Sequence, residues 1–144
     1  MQYLLKPMLF ALITVLGVTL TIVPAHAQSS SRTLANIPFD FSVGNTTLKA
    51  GSYTVEQLHS GILALSSSDG KEHKFAMTFP GDSGKQSQES MLVFILYGSE
   101  AFLKRVFISD DEDCHELPDS SKERELIKNQ ASGAEFSLLI QPAR

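Results

Sequence analysis

The side chains with the widest range of chemistry lie in one acidic segment, which reads Asp-Asp-Glu-Asp-Cys-His-Glu from Asp110 to Glu116. Carboxylates bind hard cations such as Ca²⁺, thiolate and imidazole bind softer metals, and both kinds of ligand are present. The segment lacks the central glycine and the twelfth-position glutamate of a calcium-binding EF-hand loop. Adjacent Cys114 and His115 point to opposite sides of an extended chain. A solvated acidic loop is therefore favoured, and a metal- or thiol-dependent activity in this segment is the alternative.

A second short motif, Gly-Asp-Ser-Gly at residues 81–84, matches the residues around the catalytic serine of trypsin-like proteases. A nucleophilic Ser83 would need a histidine base, an orienting aspartate and an oxyanion hole. The chain is too short for the two barrels of those enzymes, and no Ala-Ala-His-Cys-like segment precedes the motif. A phosphate-binding loop also fails, because Phe79 and Gln86 replace its first glycine and its Ser or Thr. An ordinary turn is favoured, and a hydrolase that uses Ser83 is the weakest alternative.

The remaining polar and aromatic candidates do not converge on one site. His59 and His73 flank predicted turns and are expected at the surface. Sugar-binding modules use flat aromatic platforms, but the chain has no Trp, and Tyr53 and Tyr97 stand where a core residue is equally expected. The glycosylation sequon at Asn45 occurs too often by chance to indicate modification. The sequence thus predicts no catalytic residue, no cofactor-binding residue and no metal ligand.

The N-terminal residues predict the compartment. A short segment that ends in Lys6 precedes residues 8–23, which carry no charge and are mostly apolar. Pro24 then breaks the helix, and the Ala-His-Ala tripeptide that ends at Ala27 supplies the small residues that signal peptidase requires. We expect a signal peptide over residues 1–27 and a periplasmic or extracellular protein. The alternative is an uncleaved anchor, although a membrane-spanning helix needs about 20 apolar residues.

Cleavage after Ala27 leaves 117 residues, enough for one domain. The formal net charge is −4 for the whole chain, and loss of Lys6 makes it −5. An acidic domain does not attract phosphate backbones, so nucleic acid is not an expected partner. Cys114 is the only cysteine, which excludes an intramolecular disulfide and a lipidated cysteine after the apolar run. Its acidic neighbours predict an exposed thiol that reacts slowly, because nearby carboxylates disfavour the thiolate.

Alternation of apolar residues predicts that the mature chain is mostly β. Ile37, Phe39, Phe41 and Val43 should share one face of a strand, which Pro38 places at an edge or gives an irregular start. Further strands are expected at residues 52–58, 62–66, 71–79, 91–97, 101–108 and 136–141, with a two-residue hairpin at Asp69-Gly70. Residues 91–97 are apolar throughout, which predicts a central strand covered on both faces.

One helix is expected near the C-terminus. Ser120 and Glu123 match a capping box, and residues 122–130 contain good helix formers. The apolar stripe is thin, chiefly Leu126 and Ile127, so the helix should lie on the surface.

These elements predict a disordered leader over residues 28–34 and one β-rich domain over residues 35–144. The expected fold class is a single antiparallel β-barrel or β-sandwich of six to eight short strands, with one surface helix before the last strand. Sequence does not separate the barrel from the sandwich.

Two blocks of sequence carry a family resemblance. The first block comprises Asn-Ile-Pro-Phe-Asp-Phe-Ser-Val-Gly at residues 36–44 and Leu-Lys-Ala-Gly-Ser-Tyr-Thr-Val at residues 48–55. The second block is Glu-Leu-Pro-Asp-Ser-Ser-Lys-Glu-Arg-Glu at residues 116–125. The chain resembles a family of short, uncharacterised exported proteins found mainly in acidobacteria, over most of its mature length and most specifically in these blocks. The resemblance implies export and a β-rich fold, and it implies no activity.

The sequence as a whole predicts an exported, non-enzymatic β module with a binding or structural role in the cell envelope or outside the cell. If the strands close into a barrel with an open mouth, an apolar small molecule or an envelope component would be its natural ligand. We expect a monomer without cofactor and without a stable membrane anchor after cleavage.

Overall fold

The computed structural model describes residues 32–58, 61–82, 89–109, 114–129 and 131–142. The expected signal peptide lies outside the described residues. The described part forms twelve strands and one helix. They are β1 (Arg32–Ile37), β2 (Phe41–Val43), β3 (Thr46–Leu48), β4 (Gly51–Leu58), β5 (Ile62–Ser67), β6 (His73–Met77), β7 (Phe79–Gly81), β8 (Met91–Tyr97), β9 (Glu100–Phe107), β10 (Cys114–Glu116), α1 (Ser121–Lys128), β11 (Gly133–Leu139) and β12 (Gln141–Pro142).

The strands form two sheets. Sheet A has the order β12-β1-β4-β5-β6, and sheet B has the order β11-β8-β9-β10-β7, with the β2–β3 hairpin joined to β9. Among the described strands neither sheet closes into a barrel, so the structure has the sandwich-like form of the two predicted architectures. The pairings described are antiparallel except that of β2 with β9, which is parallel. The predicted mostly β fold is thus confirmed, with more strands than the six to eight expected.

The apolar core lies between the two sheets. Its largest fully buried side chains include Phe41, Tyr53 and Phe94. The Phe41 ring contacts the Tyr53 ring of sheet A and the Phe94 ring of sheet B edge to face, with centroids 5.3 and 5.7 Å apart. Each aromatic pair of this geometry stabilises a fold by about 0.5–1.5 kcal/mol beyond the burial of its area. Phe41 therefore connects the two layers of the sandwich.

The chain passes from one sheet to the other at places where the sequence predicts continuous strands. Residues 37–43 are not one strand, because β1 of sheet A ends at Ile37 and β2 of sheet B begins at Phe41. Residues 71–79 are likewise divided at Thr78, whose N–H and hydroxyl both donate to the Gly61 carbonyl, at 2.6 and 3.1 Å. Crossings of this kind split long strands into short ones, which accounts for much of the larger strand number.

The ends of three predicted elements also shift. β1 begins at Arg32, so the last three residues assigned to the leader belong to the domain. The turn at Asp69-Gly70 is longer than two residues, because the Ser67 N–H donates to the Glu72 carbonyl at 2.8 Å across residues 68–71. The helix precedes the predicted last strand at residues 136–141, which is divided into β11 and β12.

Two other predictions are confirmed. β8 is a central strand that pairs with β11 and with β9 along its whole length. Its Leu92 and Phe94 are fully buried, although Ile95 is only half-buried. α1 lies on the surface and begins with a complete capping box between Ser120 and Glu123.

Candidate functional site

The acidic segment does not form the exposed loop that its composition predicts, at least where the structure describes it. Residues 110–113 lie outside the described residues. Cys114, His115 and Glu116 form β10, which pairs with β9 on one side and β7 on the other. Cys114 is 0 % exposed, so the predicted exposed thiol is wrong. Alternate residues of a strand face opposite sides, as the sequence predicts for this adjacent pair. His115 lies opposite the core residue Val106, whereas Cys114 lies opposite Phe107 on the other face of sheet B.

The environment of Cys114 disfavours thiol chemistry. Burial raises the pKa of the Cys114 thiol, and the carboxylates of Glu116 and Asp82 raise it further, against the opposing charge of Arg105. β7 lies close over the sulfur, since a Cβ added to Gly81 would lie 3.3 Å from Cys114 Sγ. A buried, protonated thiol is a poor nucleophile and a poor metal ligand. Within the described ranges no three His, Cys, Asp or Glu side chains are grouped to hold a metal ion.

The other chemical candidates of the sequence are separated in space or fall outside the described residues. Ser83 and His59 belong to the latter group. His73 lies exposed on β6, where its Nδ1 is 3.0 Å from Ser66 Oγ. Tyr53 and Tyr97 are buried, so neither presents a flat ring face to solvent.

A buried ion-pair cluster, which the sequence analysis missed, lies between β9 and α1. The Lys104 cluster comprises Lys104, Asp119 and Glu123, with exposed side-chain fractions of 8 % for Lys104 and 2 % for Glu123. Lys104 Nζ contacts Asp119 Oδ1 and lies 3.2 Å from Glu123 Oε1. Burial alone would lower the pKa of Lys104, but the two carboxylates outweigh it and the pKa is raised. The sequence signal was a lysine within an otherwise apolar strand.

The geometry of the Lys104 cluster assigns it a structural role. Glu123 Oε2 accepts the Ser120 N–H at 3.3 Å, while the Ser120 hydroxyl accepts the Glu123 N–H at 3.0 Å. One carboxylate therefore closes the helix cap and pairs with Lys104 of sheet B. The cluster therefore attaches α1 to the sandwich, whereas the thin apolar stripe of the helix contributes little to this attachment.

The first block of the family resemblance also supports the fold. Asp40 accepts two hydrogen bonds, from the Ala50 N–H and from Lys49 Nζ, each at 2.9 Å. The Tyr53 hydroxyl lies 2.7 Å from the Lys49 carbonyl and 2.6 Å from Glu72 Oε2. These contacts fix the turn before β4 at one end of the sandwich. The residues of both blocks thus hold the core, a turn and a helix cap.

One surface feature of the described residues without an evident structural role is an apolar face on sheet A. The apolar face comprises Ile62 of β5 with Phe75 and Met77 of β6, and Phe75 and Met77 are 63 % and 68 % exposed. Ile62 is directly opposite Met77, and Ala64 is opposite Phe75, so the apolar side chains are contiguous. The sequence placed Phe75 and Met77 together on one side of a strand, but that side faces solvent. Contiguous exposed apolar groups mark interaction surfaces in soluble proteins.

Comparison with known proteins gives no match, since no family model, no curated protein and no solved structure resembles the chain. Across the described part of the chain, no helix has the length and apolar character needed to cross a bilayer. The expected apolar ligand required a closed barrel with an open mouth, and the described strands form two open sheets instead.

Proposed function

We propose that this chain is an exported, non-enzymatic β-sandwich module of the short exported family that it resembles, and that it binds a partner in the cell envelope or outside the cell. The observation that carries the proposal is the apolar face. Phe75 and Met77 leave most of their surface in water, where burial against a partner gains about 25 cal/mol for each Å² of apolar area.

The surroundings of the chemically active residues support a non-enzymatic role. Cys114 is buried and its thiol pKa is raised. The buried charges of the Lys104 cluster pair with one another across β9 and α1. Each of these groups serves packing or the attachment of an element, whereas the apolar face serves neither.

Export is tested by processing of the full chain in its host. Ala27→Phe should block cleavage, because the −1 pocket of signal peptidase admits only small side chains. Ala27→Gly is the matched control and should be processed normally. Mass spectrometry of the exported protein should give a terminus at Gln28, and a wild-type terminus that stays at Met1 would favour the membrane anchor instead.

Binding is tested by sedimentation of the processed protein with isolated envelope fractions. The double variant Phe75→Ser/Met77→Ser should lose most of the retained fraction, because it removes the two most exposed apolar side chains of the face. Leu139→Ser is the control, since Leu139 is equally exposed at 63 % but lies on β11. Unchanged thermal melts would show that both variants fold. Equal retention of the wild type and the double variant would contradict the proposed role of the face.

A further inference from the structure

β6 is an edge strand whose free side carries unused backbone hydrogen-bonding groups. In antiparallel pairs, alternate residues direct their N–H and C=O toward the neighbouring strand. Two hydrogen bonds at the ends of the β5–β6 pair show which residues of β6 bond to β5. The Ser67 N–H donates to the Glu72 carbonyl, and the Thr78 N–H donates to the Gly61 carbonyl. Lys74 and Ala76 therefore bond to β5. The N–H and C=O of His73, Phe75 and Met77 point outward, and no strand in the described part of the chain pairs with that side.

The backbone groups on the free side of β6 can pair with those on the free side of β6 in a second copy of the chain. If two copies meet antiparallel about a twofold axis through Phe75, that residue lies opposite its own equivalent and His73 lies opposite Met77 of the other copy. This register uses all three outward N–H groups and all three outward carbonyls of each strand. It places no like charges opposite one another, because Lys74 faces Ala76 of the second copy. The ammonium of Lys74 is already bound within its own copy, 2.9 Å from Thr46 Oγ1.

The other described sheet edges are less suited to such pairing. β12, β7 and β3 are only two or three residues long. β12 and β7 also contain Pro142 and Pro80, and proline lacks the N–H that a ladder requires. β11 is longer, but its exposed face carries Glu135, which pairs with Arg105. Charged residues and prolines are the usual protection of an edge strand against pairing. The exposed face of β6 instead carries His73, Phe75 and Met77. Its one lysine, Lys74, lies on the opposite face and is bound to Thr46 Oγ1.

We propose that β6 pairs with β6 of a second copy of this chain, so that two five-stranded sheets join into one of ten strands across a twofold axis. Phe75 then packs beside Phe75 of the second copy, an aromatic cross-strand pair. Two five-residue strands bury less than the roughly 1,200 Å² of a standard interface, so the dimer should dissociate on dilution. The inference goes beyond the proposed function. Edge pairing places the two apolar faces side by side on one face of the joined sheet, and the dimer replaces the monomer that the sequence predicts.

Disulfide formation between introduced cysteines tests the register, with the protein expressed from the full chain and purified after processing. Opposed residues of a hydrogen-bonded pair have Cα atoms about 5.5 Å apart, which suits a disulfide. Phe75→Cys should therefore cross-link on mild oxidation. Met77→Cys should not, because two copies of residue 77 lie about 13 Å apart in this register. Cys114 is buried and does not compete.

Ser137→Cys on β11 is the control for pairing through the other long edge. The Phe75→Cys protein should form covalent dimer roughly tenfold or more faster than either other variant, because pairing raises the effective concentration of its thiols. Faster cross-linking of the Met77→Cys or the Ser137→Cys protein would overturn the proposed register.

A charge exchange tests whether the partner is a second copy. Phe75→Lys and Phe75→Glu each place like charges opposite one another and should sediment as monomers at concentrations where the wild type dimerises. An equimolar mixture should recover the dimer, because Lys then faces Glu across the twofold axis. A wild type that stays monomeric at all concentrations, or a mixture that stays monomeric, would overturn the inference.

The two proposals fail in distinguishable ways. A monomer whose envelope retention depends on Phe75 and Met77 contradicts the dimer and leaves the proposed function standing. A dimer that passes the disulfide and charge-exchange tests but is not retained by any envelope fraction supports the inference and contradicts the proposed envelope role.

Discussion

At the scale of single residues, Cys114 has no exposed surface although its preceding neighbours in sequence are carboxylates. We predict that a small alkylating reagent does not modify Cys114 in the folded protein and modifies it fully after unfolding in urea. The physical reason is that burial removes access and raises the pKa of the thiol, so that little thiolate is present. Mass spectrometry of the alkylated protein measures the outcome.

A Ser99→Cys variant supplies the control for the reagent. Ser99 is exposed in the turn between β8 and β9, so the introduced thiol should react at once under native conditions. If Cys114 reacted as fast as the introduced thiol, β7 would not cover it in solution.

The Lys104 cluster makes the second residue-scale prediction. Lys104→Met leaves Glu123 buried without its counter-charge, and breaking a buried pair in this way costs about 3–5 kcal/mol. A domain of this size unfolds with a free energy of about 5–15 kcal/mol, so the loss should be visible as a much lower urea midpoint. Asp119 has an exposed fraction of 44 % and can stay hydrated.

The double variant Lys104→Met/Glu123→Gln separates charge from packing. Gln at the third helical position keeps the capping box and leaves no unpaired charge at that position, so the double variant should be more stable than Lys104→Met alone. If the double variant were no more stable than Lys104→Met, the loss of stability would come from the packing of the lysine stem and not from the unpaired charge.

At the scale of elements, α1 depends on its first turn, because its apolar side chains contribute little burial. We predict that Ser120→Ala destabilises the domain by about 0.5–2 kcal/mol, the usual effect of removing an N-cap side chain. Ser121→Ala is the control, since Ser121 is exposed, and it should change stability much less. Urea unfolding followed by far-ultraviolet circular dichroism compares them, and equal losses would mean that the cap does not limit helix stability.

The elements also show how far the sequence could be interpreted. The alternation of Tyr53 with Val55 and the apolar run of β8 predicted strands correctly, because both patterns reflect burial against one core. The same alternation at Phe75 and Met77 predicted a strand correctly. It did not predict that their face is exposed, because alternation shows which side chains share a face but not whether another element packs on it. For the candidate site, the adjacency of Cys114 and His115 predicted their opposite directions, whereas the burial of Cys114 depends on the distant pairing with β7.

At the scale of the whole molecule, the two sheets are tied together where the chain crosses between them. The described chain crosses after Ile37, between Leu48 and Gly51, at Thr78 and at Ile140. The Ile140 N–H donates to the Ser90 carbonyl at 3.0 Å. Both Thr78 and Ile140 are buried. These crossings depend on contacts between residues distant in sequence. Local patterns therefore predicted continuous strands across three of them, at residues 37–43, 71–79 and 136–141.

One end of the sandwich, formed by the turns before β4 and before β6, carries carboxylates with lowered pKa values. Hydrogen bonds from the Ser67 hydroxyl and the Lys71 N–H lower the pKa of Asp69 to about 2. The Lys49 ammonium and the Ala50 N–H lower the pKa of Asp40. Because these folded pKa values lie below the unfolded value, the carboxylates stabilise the fold above about pH 4. That stabilisation is lost as the pH falls through the folded pKa values, to about 2 for Asp69.

We predict that the melting temperature of the wild type falls between about pH 4 and pH 2, the interval in which Asp69 and Asp40 become protonated in the folded protein. The double variant Asp40→Asn/Asp69→Asn should be less stable than the wild type at neutral pH, because the neutral amides lose the charge-assisted bonds. Its melting temperature should change less over the same acid interval, so that the two curves converge near pH 2. Calorimetric melts at half-unit steps of pH measure both curves. A double variant whose curve runs parallel to that of the wild type would assign the acid sensitivity to other carboxylates.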